Sequence, residues 1–133
     1  MRPAGHLALV LGVAATLAAI DVASKVAAIA GEPDRVLYDP RSQVLLFAVA
    51  ACVALVTLVP RAGSVALDVA AGVLVGGCLG NLASLLLWPS GIPDFVRGGQ
   101  IVFNLADVFI WIGIVALLAV AAVLGVSHRR ATR

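Results

Sequence analysis

Two carboxylates in the last third of this chain have the residue type and the setting for chemistry. Asp94 stands in Pro93-Asp94-Phe95, and Asp107 closes Phe103-Asn104-Leu105-Ala106-Asp107, the run that opens the last apolar stretch. They flank one short loop, in which Arg97 is the sole charged residue between them. Two close carboxylates do not both ionise easily, so one keeps a proton. The ionised member can take a proton from water while the protonated one polarises a peptide carbonyl. Amide hydrolysis needs that division of labour. Asn104 lies three residues before Asp107 and shares its helical face. The plainer reading is two solvated loop acids, with Asp107 near a helix start. Spacing alone leaves both readings open.

The elements that must position these acids are apolar. The chain has 133 residues, 62% of them hydrophobic and only 12% charged, with a mean hydropathy of +1.12. A soluble domain carries about a quarter charged residues, so the solvent here must largely be lipid. A net charge of +2 is too small to suggest a nucleic-acid partner. Four apolar segments stand out, at about 7–30, 44–59, 65–88 and 102–126. Each approaches the roughly 20 residues a helix needs to cross a bilayer. Backbone groups in lipid must pair internally, which favours helices. Gly31-Glu32-Pro33, Pro60-Arg61-Ala62-Gly63 and Trp88-Pro89-Ser90-Gly91 punctuate the boundaries. The expected fold is a single all-α membrane domain of four transmembrane helices with short extracytoplasmic loops.

Basic residues near span ends set orientation. Arg2, Arg61, Arg129, Arg130 and Arg133 fall on one side, and Arg35, Arg41 and Arg97 on the other. The larger set belongs in the cytoplasm, so both termini are expected inside and both acids outside. Arg2, an apolar run and Ala28-Ile29-Ala30 also have the outline of a cleavable signal peptide, but Asp21 and Lys25 interrupt it where such signals want neutral residues. The first segment is therefore read as a retained span.

Asp21 and Lys25 are four apart and can pair on one helix face. They read as a structural ion pair near the outer surface, with Lys25 snorkelling. Asp68 reads as a helix-start acid favoured by the dipole. Cys52 and Cys78 lie inside apolar runs and read as small packing residues rather than a disulfide. His6 and His128 sit near opposite termini with no ligand spacing, so no metal is expected. Gly72, Gly76 and Gly80, with Gly77, form overlapping small-residue patterns that admit a neighbouring helix closely. Asn81 follows directly, polar at depth, and needs a partner.

Taken in order, Gly76-Gly77-Cys78-Leu79-Gly80-Asn81, Pro93-Asp94-Phe95-Val96 and Phe103-Asn104-Leu105-Ala106-Asp107 resemble the lipoprotein signal peptidase (signal peptidase II) family, whose pattern is G-G-x-x-G-N, V-D-F and F-N-x-A-D. Ile110 or Ile112 with Gly113 fits the tail of that pattern, and Asp21-Val22-Ala23-Ser24-Lys25 is similar to its D-x-x-x-K. The resemblance implies a bacterial inner-membrane aspartic endopeptidase that cuts prolipoproteins before a diacylglyceryl cysteine. It implies Asp94 and Asp107 as the catalytic pair, with Asn81, Asn104, Gly77 and Gly80 around the site and Asp21–Lys25 stabilising it. It implies no cofactor, a lipidated prolipoprotein substrate, membrane lipid as surroundings, and a monomer.

Two stretches depart from the family. Leu82-Ala83-Ser84-Leu85 stands where an Asp-Arg pair is usual, and Asp39-Pro40-Arg41-Ser42-Gln43 replaces an asparagine-containing stretch. The outer loops are also short, so a reduced β-rich cradle is expected. Two other functions compete: a non-catalytic relative that binds lipidated or signal helices, and a small dimeric transporter, which would favour an acid at the bilayer midplane.

Overall fold

Pro3 sits in the first turn of a long helix, where its missing N–H has no partner to lose. This helix, α1 (Pro3–Gly31), is followed by a 3-10 turn at Pro33–Arg35 and a short strand, β1 (Leu37–Asp39). A second helix, α2 (Leu45–Leu58), runs into a 3-10 turn at Val59–Ala62. Ser64 then caps α3 (Val65–Leu87), its side chain accepting from the Leu67 N–H at 3.4 Å. Three strands follow, β2 (Ile92–Asp94), β3 (Val96–Gly98) and β4 (Ile101–Phe103), before α4 (Leu105–Ala131). The computed structural model describes residues 1–40 and 45–131. Arg41, in the orientation argument, and most of the second departure from the family pattern lie outside the described residues.

The helical reading of the apolar segments holds, with two corrections. The connections are not purely loops. β1 pairs antiparallel with β2, Leu37 opposite Asp94 and Asp39 opposite Ile92, and β3 pairs with β4 as a hairpin. The last helix begins at Leu105 rather than near 102, because Ile101–Phe103 are strand and Asn104 ends it. An apolar run does not by itself distinguish strand from helix. The described part of α2 has 14 residues and continues into the 3-10 turn at Val59–Ala62. Three described helices are long and apolar enough to cross a membrane, and the apolar helix at Phe47–Ala62 is shorter.

α3 is the central helix and packs against α1, α2 and α4. Half of its most apolar window is buried, against 17% for α1 and 6% for α4. The outward faces carry large apolar groups, with Leu86 87% and Phe47 78% exposed. The buried positions hold Asp21, Lys25, Asp68, Asn104 and Ser84, each at 0% exposure. Charge inside and hydrocarbon outside is the reverse of a soluble domain and suits a lipid solvent. The expected packing role of the glycines is seen: Gly72 and Gly76 meet α1, and Gly77 meets α4.

The polar groups form two layers. At one end His6 Nδ1 donates to Asp68 Oδ2, tying α1 to α3. Asp68 is therefore not merely a helix-start acid: it is buried against a histidine 62 positions away. At the other end lie Asp21, Lys25, Asn81 and Ser84. His6 and Asp21 are fifteen helical steps apart, about 22 Å along α1. The stretch of α1 between the two layers is apolar apart from Thr16.

Candidate active site

Asp94 is the last residue of β2, where pairing with β1 holds it 3% exposed. Asp107 is in the first turn of α4. Between them in sequence, Asn104 joins both. Its Nδ2 donates to Asp94 Oδ1. Its backbone N–H donates to Asp107 Oδ2 at 3.3 Å, and its Oδ1 accepts the Asp107 backbone N–H at 3.2 Å. The last two bonds are a reciprocal cap on the start of α4, which is why the helix starts after Asn104. One fully buried side chain thus touches the strand acid and caps the helix that carries the other. The hairpin β3–β4 returns the chain over this short distance, and the Phe95 N–H donates to the Phe103 carbonyl at 3.1 Å to close it.

A second line of bonds reaches the same site from α1 and α3. Asn81 Nδ2 donates to Asp107 Oδ1 at 3.0 Å. Lys25 Nζ donates to Asp21 Oδ2 at 2.6 Å, Ser84 Oγ at 2.8 Å and Asn81 Oδ1 at 3.0 Å. An ammonium has three donors, and all three are matched. Lys25 was expected to snorkel outward. It is wholly buried and points inward, because three acceptors at the helix junction outweigh a single exposed carboxylate contact. Asp21 completes the link to α4 by accepting the Ala106 N–H at 2.8 Å through Oδ1.

Glycine is needed at two positions here. A Cβ on Gly80 would lie 2.6 Å from Asp21 Oδ2, and one on Gly77 would lie 2.5 Å from the Ala106 carbonyl oxygen. Both distances are inside van der Waals contact, so these residues let α1 and α4 approach α3 closely enough for the polar chain to close.

All the residues singled out from sequence around the pair, Asn81, Asn104, Asp21, Lys25, Gly77 and Gly80, thus meet in one region with Asp94 and Asp107. Ser84 was missed. Its sign in the sequence is its place three residues after Asn81, on the same face of α3. Asp107 also lines an apolar cavity of about 500 Å³ with Phe103, Ile110 and Trp111. An acid at the edge of an apolar hollow formed by β4 and the start of α4 is an arrangement that can hold a chain against a general acid or base.

The family model for signal peptidase (SPase) II matches residues 29–123, most of the chain. The matched span contains Asn81, Asp94, Asn104 and Asp107, while Asp21 and Lys25 precede it. No curated protein and no solved structure matches. Apolar helices around a buried polar site agree with a membrane peptidase family. On the strength of that match this chain belongs to the signal peptidase II family, a family of aspartic peptidases.

Proposed function

We propose that this protein is a membrane aspartic endopeptidase that removes the signal peptide from diacylglyceryl-modified prolipoproteins, with Asp94 and Asp107 as the catalytic pair. The observation that carries the reading is Asn104, one buried asparagine bonded to both acids. The polar cluster supports it. Lys25 is bonded to Asp21 and Asn81, and Asn81 in turn to Asp107, so the acid of α4 is tied to the buried ion pair of α1. The ionised acid takes a proton from water as the water oxygen bonds to the scissile carbonyl carbon. The protonated acid gives its proton to the carbonyl oxygen. When the tetrahedral intermediate collapses, the first acid passes its proton to the departing nitrogen and the second recovers its own from the hydroxyl.

The same reading places four spans in a bacterial inner membrane, as a single domain acting as a monomer. α2 with its 3-10 extension is the shortest span, both termini are cytoplasmic, and the acids lie at the outer rim. Arg2 and Arg61 lie at the His6–Asp68 end and Arg35 and Arg97 at the Asp94–Asp107 end, which supports that orientation. A substrate signal helix enters sideways from the bilayer, and its lipidated end stops at the interface beside the apolar cavity. The test is incubation of the purified protein with a lipidated prolipoprotein. A size shift that is absent in Asp94→Asn and Asp107→Asn supports the proposal. No cut, under conditions where another signal peptidase II cuts, refutes it.

A further inference from the structure

Ser84 plays no part in the acid–base scheme above, yet it occupies a demanding position. It is fully buried, it accepts from Lys25 Nζ at 2.8 Å, and it donates its own hydroxyl hydrogen to the Gly80 carbonyl at 2.7 Å. That second bond fixes the hydroxyl rotor, so a lone pair faces the ammonium. We propose that Ser84 is a positioning residue for the peptidase reaction: with Lys25 it locks the Asn81 amide in one orientation and thereby casts Asp107 as the base and Asp94 as the acid. The inference rests on the Asp94–Asp107 reading and extends it.

The argument follows donors and acceptors. An ammonium has only donors, so the end of the Asn81 amide that meets Lys25 must be Oδ1, at 3.0 Å. The amide NH₂ then faces Asp107 Oδ1, at 3.0 Å. A proton on that oxygen would confront the amide hydrogens, so the oxygen must accept. Asp107 Oδ2 also accepts, from the Asn104 backbone N–H. Both oxygens are committed as acceptors, which suits the group that takes a proton from water. The proton shared by the pair then resides on Asp94. The Lys25 charge on α1 acts on both Asp107 and Asp94, and Asp21 is turned to Lys25 and to the Ala106 N–H, so neither changes the assignment. Without the Ser84 hydroxyl one ammonium hydrogen loses its acceptor. Lys25 then swings toward Asp21, and the Asn81 amide is free to flip its oxygen onto Asp107.

The test has a kinetic and a spectroscopic arm, both on the full chain in micelles. With a lipidated prolipoprotein as substrate, Ser84→Ala is expected to lower kcat about tenfold with KM unchanged within about twofold. Ser84→Thr, which keeps the hydroxyl, restores most of the rate. In an Asn81→Ala background, Ser84→Ala has no further effect, because the group it orients is gone. In ¹H–¹⁵N spectra the Asn81 side-chain NH₂ gives two separate signals in the wild type, which move or merge in Ser84→Ala. A native kcat in Ser84→Ala, or full multiplicative effects of the two substitutions, or unchanged Asn81 signals, overturns the proposal. If threonine is too large for the site, the double-substitution comparison and the spectra decide. If the wild type cuts nothing, the peptidase reading fails while the Asn81 signals still report on the Ser84–Lys25–Asn81 chain.

Discussion

Replacing Lys25 by methionine isolates the energetic role of the buried ammonium. The two side chains are similar in length and volume, so no cavity opens. What is lost is a cation with three bonds, to Asp21, Ser84 and Asn81. What is left is a carboxylate at 0% exposure that accepts from the Ala106 N–H alone among the described side-chain bonds. Removing one member of a buried ion pair costs about 3–5 kcal/mol, and the stranded Asn81 and Ser84 oxygens push toward the upper end. Domain stabilities are about 5–15 kcal/mol, so the loss is a large fraction of the whole. At a few degrees per kcal/mol, Tm should fall by about 10–20 °C. The protein carries its own reporters for this measurement. Cys52 and Cys78 are 8% and 7% exposed in the core between α2 and α3, and a thiol-reactive fluorophore labels them only as the bundle opens. The control is the double substitution Asp21→Asn with Lys25→Met, which removes both charges and should recover at least half of the lost stability. The reasoning is refuted if Lys25→Met melts within about 3 °C of the wild type, or if the double variant is less stable than the single.

Asp94→Asn and Asp107→Asn should each reduce prolipoprotein cleavage by about a thousandfold or more; the thiol-labelling transition should stay near its wild-type temperature in Asp94→Asn, whose amide oxygen can still accept from Asn104, and fall in Asp107→Asn, whose NH₂ must face a donor of Asn81 or Asn104. Gly80→Ala should cost about 1–3 kcal/mol, read in the same melting assay, because its methyl meets Asp21 Oδ2 at 2.6 Å; a neutral result would mean α1 has room to shift. His6→Phe removes the partner of Asp68, whose Oδ1 already lacks a hydrogen bond among the described residues, and should lower stability by about 2–4 kcal/mol with kcat unchanged in the folded fraction. Trp111→Ala, at the cavity beside Asp107, should raise KM several-fold with little change in kcat.

The local parts of the site were legible from spacing. Asp21 and Lys25, four apart on one helix, do pair. Asn104 and Asp107, three apart, do share a helix start. The small-residue run on α3 does admit its neighbours. These follow from helix geometry, which places residues three and four apart side by side whatever surrounds them. Less legible was anything that depended on a choice between conformations. Ile101–Phe103 has as apolar a composition as the helix after it but is drawn into a hairpin with Val96–Gly98. Asp68 has the look of a helix-start acid, and nothing near it in the chain announces His6.

The amino-acid sequence by itself determined that this protein is a set of apolar helices with a few polar residues too costly to face lipid, and the order of its motifs marked the family. Only the tertiary structure decided how those polar residues are connected. Lys25 meets Asn81 across 56 positions and Ser84 across 59, His6 meets Asp68 across 62, and Asp21 meets the Ala106 N–H across 85. The physical reason is that an unsatisfied polar group in a low-dielectric interior is so unfavourable that each must find a partner. Periodicity cannot say which partner, because that depends on which faces the glycines of α3 allow to meet.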